Sequence, residues 1–144
     1  MPRLAIFNMF FGFLVLFLAA AAGAFVASDL TAGYLKDKAF LDTWVMVLSK
    51  SSHGHTNLFA LMHIAFGLTL PYSALPAKVK LWQTVGLVLG TLAMGPGLLA
   101  RGWLGPTEGL DINAAVVGVL LSCALAALFA HAAGLAAKLY GRGG

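Results

Sequence analysis

The chain has 144 residues, 60% of them hydrophobic and only 10% charged, with a mean hydropathy of +0.91. A soluble domain carries about 25% charged residues, so this chain has too few charges to coat a water-facing surface and a soluble globular protein is excluded. The net charge of +4 is scattered in ones and twos, which excludes a nucleic-acid-binding patch, and the single cysteine, Cys123, excludes an internal disulfide or a cysteine-rich metal site.

Four apolar runs of near-bilayer length fill most of the sequence and leave no room for a soluble domain. They predict an all-α integral membrane four-helix bundle, a single domain over 1–144, with membrane helices at about 4–28, 53–73, 81–100 and 113–138. The first run follows Arg3 and ends in small residues such as Ala22 and Ala24, like a secretory signal. It is longer than a signal core, which predicts a retained helix. In the loop that follows, Leu41, Trp44, Val45 and Leu48 recur at helical spacing. They predict a short interfacial amphipathic helix over about 39–50, with Trp44 at the headgroup level.

The second run is apolar only from Leu58 to Tyr72 and reaches span length if Ser51 to Asn57 continues it, which places His53 and His55 at the membrane boundary. The third is interrupted by Gly95, Pro96 and Gly97, a sequence that kinks a helix and frees carbonyls. The fourth carries Gly118, Ser122, Ala126, Ala130 and Gly134, a small-residue ridge expected to line a close helix contact. Ala19, Gly23 and Ala27 in the first run, and Gly86 and Gly90 in the third, repeat that spacing.

The loops give an orientation. Arg3, Lys78, Lys80, Lys138 and Arg142 share one side with no acids, whereas Asp29, Asp37, Asp42, Glu108 and Asp111 all lie on the other. This asymmetry predicts both termini in the cytoplasm, in a bacterial inner membrane.

Four histidines stand out, because ionisable groups at membrane depth are costly. Counted from the inner boundary, His63 and His131 are nearly level, and two level imidazoles on different helices suit the two axial positions of a haem iron. The competing reading is that each bonds a hydroxyl or carbonyl on the next helix. His53 and His55 point about 160° apart on a regular helix and cannot chelate together. His55 is then a separate candidate haem ligand, with Met62 on its face. His53, with Glu108 and Asp111, is a candidate copper or zinc site, against the alternative of a solvated boundary residue.

His53-Gly54-His55-Thr56-Asn57-Leu58 resembles the His-x-His-x-Asn-Leu element of small membrane proteins related to subunit I of haem-copper oxidases. Pro71, Tyr72 and Leu81-Trp82-Gln83, entering a glycine-rich helix, are compatible with that likeness, which covers about 52–97. It implies a short bundle matching a few oxidase helices, with His55, or as second choice His53, a haem ligand. The sequence departs from it at Phe59-Ala60-Leu61-Met62-His63, where such proteins are often aromatic-rich, and it lacks a binuclear-centre set of histidines. Oxygen reduction by this chain alone is not expected. With no nucleophile and base, paired membrane carboxylates or phosphate loop, neither is any other catalysis. The expectation is a protein that binds haem b, or copper, for electron transfer or small-ligand sensing within a respiratory assembly. Its partners are the bilayer and other membrane subunits or further copies of itself. The rivals are a cofactor-free packing subunit and a small metal or proton transporter using the four histidines as a relay.

Overall fold

The computed structural model describes residues 2–109 and 111–141, so Leu110 and the basic tail residue Arg142 lie outside the described residues. Among those residues there are four long helices and no strand. They are α1 (Arg3–Lys36), α2 (Trp44–Thr69), α3 (Ala77–Leu104) and α4 (Ile112–Tyr140). Each apolar run is helical because in lipid a backbone must satisfy its own polar groups. Each stops where the sequence supplies a breaker. Asp37 leaves the helical region and opens a 3-10 turn, Lys38–Asp42, by accepting from the Ala39 N–H. Pro71 closes α2 through the turn Leu70–Tyr72, and Gly105 ends α3 at φ 80°. Asp111 caps α4 by accepting from the Ala114 N–H at 2.9 Å.

The helices run up, down, up, down. α1 packs along α2, α3 along α4, and α2 and α3 join the two hairpins. Glycines set how closely they approach. A Cβ on Gly12 would lie 2.6 Å from the Ala60 carbonyl oxygen, and one on Gly67 2.6 Å from that of Ala5, so α1 and α2 touch backbone to backbone. Gly86 faces the Cys123 carbonyl, and Gly90 leaves room for Phe59 and Ala124 where α2, α3 and α4 meet. Pro96 cannot donate a backbone bond, and α3 widens into a π turn at Ala93–Gly97. There the Gly95 carbonyl accepts from the Ser52 hydroxyl at 2.7 Å, a bond that fastens α3 to α2.

Two expectations change. The ridge on α4 does not line the bundle: nothing lies within 4 Å of a Cβ on Gly118, and Ser122 and Ala126 are exposed. Each four-residue step turns about 40° around a helix, so only the Gly134 end of the ridge reaches the interface, and the buried stripe is Ala124, Ala127, His131 and Gly134. The segment 39–50 is likewise not a separate surface helix. From Trp44 onward it forms the first turns of α2, and its apolar side is covered by α3: Gly102 packs on Leu48 and Val45, and the Trp44 indole donates to the Arg101 carbonyl at 3.2 Å.

α1, α3 and α4 are each long and apolar enough to cross a membrane. Phe10, Phe13 and Phe17 on α1 are exposed, as a lipid-facing surface requires. The chain is an integral membrane protein. At 34 residues α1 is about 51 Å long, more than the ~30 Å hydrocarbon core, so it projects beyond it. α2 has the length, at 26 residues, but its stretch from Ser49 to Asn57 is polar. α1 and α3 pack along it and bury Ser49 and Ser52, while Ser51, His53, His55, Thr56 and Asn57 are half-buried.

The glycine seam makes a direct prediction. Gly12→Val should cost about 1–3 kcal/mol of stability by forcing two backbones apart, whereas Gly118→Val should leave stability unchanged. Thermal unfolding of both variants in detergent checks the contrast.

Candidate functional site

The deepest polar group is His63, which is 0% exposed, as is Asn8 beside it. The Asn8 amide nitrogen donates to the Leu4 carbonyl at 2.8 Å and to the Thr84 hydroxyl at 2.9 Å, so its oxygen faces His63 and accepts from Nδ1–H at 2.9 Å. On the other side Nε2 lies 3.1 Å from the Thr91 hydroxyl, which also reaches the Leu87 carbonyl at 3.0 Å. A neutral ring accepts the Thr91 proton at Nε2. A charged ring donates there, and the hydroxyl turns back to Leu87. Phe11 packs edge-on at 4.7 Å between centroids. Both nitrogens are therefore taken, and His63 links α1, α2 and α3 instead of presenting a lone pair.

His131 is a second clamp. Its Nε2 meets the Thr69 hydroxyl at 2.8 Å, and its ring lies 4.3 Å from that of Phe66. Its Nδ1 is buried without a partner among the described residues, as are both amide atoms of Gln83. The pair expected to hold a haem is thus not assembled: His63 is turned to Asn8 and Thr91, His131 to Thr69. Met62 packs against the apolar core around Phe59 and Leu87.

His55 and His53 are held differently. The His55 Nδ1 lies 2.8 Å from the Ser51 carbonyl one turn back, so the ring donates Nδ1–H and carries its lone pair on Nε2, which has no protein partner among the described residues. His53 packs against Gly23 of α1, where a Cβ would come within 2.6 Å of the ring's Cε1. The Asn57 amide donates to its Nε2 at 3.2 Å, so its proton sits on Nδ1. His53 also borders an apolar groove of about 560 Å³ between α1, α2 and α3.

The copper or zinc site expected from His53, Glu108 and Asp111 does not form. Asp111 spends one carboxylate oxygen on the Ala114 N–H and the other on Arg101 Nε at 2.9 Å, and Glu108 is exposed in its loop. Among the described residues no three His, Cys, Asp or Glu side chains gather into a metal-binding group. Arg101 also stacks over Trp44 at 5.1 Å, so it ties α2, α3 and the start of α4 together. Reading the sequence around its histidines missed Asn8, Thr69, Thr84 and Thr91. Asn8 carried a signal, as a lone amide inside an apolar run.

Two predictions follow from these bonds. Asn8→Leu strands the His63 Nδ1–H and should cost about 1–3 kcal/mol. The double variant Asn8→Leu/His63→Leu should lose less, because Thr84 and Thr91 keep the Lys80 and Leu87 carbonyls as partners; thermal unfolding compares the two. At Asp111 the Ala114 N–H, and then Arg101, hold the carboxyl below the usual carboxylate range. Its folded pKa is the lower one, so its contribution is present above about pH 4 and is lost as pH falls through the folded value. Asp111→Asn should therefore flatten the acid limb of stability against pH.

No protein-family model, curated protein or solved structure matches this chain, and the reading of its site rests on the geometry above.

Proposed function

We propose that this chain is a haem b-binding subunit of a bacterial inner membrane, with His55 as the axial ligand. One observation carries the reading. An imidazole whose Nδ1–H is fixed on a backbone carbonyl, with a free Nε2, is oriented as metal-ligating histidines are. The resemblance of the His53 to Leu58 segment to haem-copper oxidase relatives implies the same residue. Both nitrogens of His63 are bonded and the His131 Nε2 is held by the Thr69 hydroxyl, so the second axial position is assigned to a residue of another subunit or to a small ligand. That suits a part in electron transfer or sensing within a larger assembly rather than catalysis by this chain alone. When bound, the haem supplies one-electron chemistry or a gas-binding iron. Arg3, Lys78, Lys80 and Lys138 at the end bearing both termini support a cytoplasmic location for that end.

A second reading, a cofactor-free packing subunit, is favoured by the exposed Gly118, Ser122 and Ala126 of α4, which offer a close seat for another helix. Colour separates the two. Detergent-purified protein, reconstituted with haem and then reduced with dithionite, should show a Soret band that shifts and sharp α and β bands. His55→Ala should lose the bound haem, while His63→Ala and His131→Ala should keep it at lower thermal stability. A colourless product after reconstitution, or full haem content in His55→Ala, overturns the haem reading and leaves the packing subunit.

A further inference from the structure

We propose that the groove between α1, α2 and α3 is a binding site for a membrane quinone, an uncharged lipid-soluble dicarbonyl ring with an apolar tail, whose carbonyl accepts a hydrogen bond from His53. The groove, at about 560 Å³, lies within the range of small-molecule sites and is walled mainly by apolar side chains such as Val15, Ala22 and Leu99. It is open on one side, so a molecule dissolved in the bilayer has a way in.

Its polar content selects the ligand. Of the hydroxyls on the wall, those of Ser52 and Thr56 are spent on the Gly95 and Ser52 carbonyls and that of Thr91 on His63 or the Leu87 carbonyl, while Ser49 adds a small buried hydroxyl. His53 is different: the bond from Asn57 to Nε2 leaves its proton on Nδ1, with no protein acceptor among the described residues. A half-buried N–H donor at the edge of an apolar groove calls for a carbonyl. Gly23 sets the imidazole's place, because any side chain there would displace it.

Charge decides between a quinone and a phospholipid, both of which bring a carbonyl and a tail. The other ionisable side chain on the wall is Asp29, an acid. No Lys or Arg lines the groove. Arg101 is paired with Asp111, Lys50 bonds the Leu41 carbonyl at 2.9 Å, and Lys36 and Lys38 are exposed around the end of α1, off the groove wall. A phosphate headgroup in the groove would meet a carboxylate and no cation on its wall. A neutral ring meets no such repulsion. The site does not depend on haem, since His53 and His55 point to different sides of α2.

The test is titration of the purified full chain in detergent with decylubiquinone, followed by quenching of tryptophan fluorescence, Trp103 being on the groove wall. Saturable quenching is expected, absent in Trp103→Phe. His53→Leu should weaken it about tenfold or more, and His53→Gln, which keeps a donor, should restore part of the loss. Ala22→Phe, which fills the groove from an exposed position, should abolish binding with helicity unchanged. His55→Ala should bind quinone normally, so a failure of the haem reading leaves this result untouched. Non-saturable quenching, equal affinity in His53→Leu and Ala22→Phe, or displacement of the quinone by stoichiometric phosphatidylglycerol overturns the proposal.

Discussion

In a bilayer, apolar side chains gain nothing by leaving lipid for one another, so a membrane bundle needs another source of cohesion. Here the chain of bonds through Asn8, His63 and Thr91 supplies it, fastening α1, α2 and α3 where no water competes. The arrangement is complete in itself. Asn8 uses its whole amide, Thr84 donates to the Lys80 carbonyl while accepting from Asn8, and Thr91 gives its one proton to His63 or to the Leu87 carbonyl. A fully satisfied buried network costs little to desolvate and specifies one register, whereas a slip of α1 by one turn would strand several polar groups at once. The glycine contacts at Gly12 and Gly67 agree with that register, since they let the backbones come near enough for the bonds to close.

The central place of α2 follows from the same constraint. A helix with serines, histidines, threonine and asparagine over two turns would be expensive against lipid on every side. Packed between α1 and α3 it spends those groups on protein: Ser52 on Gly95, Thr56 on its own helix, His63 on Asn8 and Thr91. What remains unspent is then informative. The Nε2 of His55 and the Nδ1 of His53 are left by bonds that fix each ring's tautomer and place opposite capacities, an acceptor and a donor, on different sides of one helix. A haem reading and a quinone reading arise from the same helix for that reason and do not compete for one residue.

The far end of the bundle is closed by Arg101, which pairs with Asp111, stacks on Trp44 and accepts the Trp44 indole on its carbonyl. Asp111 caps α4 and anchors α3 together, which is why the acids of this loop are unavailable to a metal. The buried His131 Nδ1 and Gln83 amide, on α4 and α3, have no partner among the described residues.

Hydropathy by itself determined the class of this protein and its four helical runs, since composition acts locally and needs no partner. It did not determine all of their ends: α1 runs on to Lys36 and α2 starts at Trp44, beyond the apolar stretches, where contacts with neighbouring elements support polar turns. The interruption of α3 at Pro96 was legible on the same grounds. Only tertiary structure decided which face of each helix is inside. Gly118 to Gly134 looked like one seam along the sequence, yet its spacing winds around α4, and the neighbour α3 selects Ala124, Ala127 and His131 instead. The histidines divided in the same way. Their number and depth were written in the sequence, but a ring nitrogen is a clamp or a free ligand according to what stands opposite, and Asn8 lies 55 residues from His63. His55 is bonded within its own turn, so its tautomer rests on local backbone, whereas the occupation of His63 and His131 depends on helices distant in sequence and near in space.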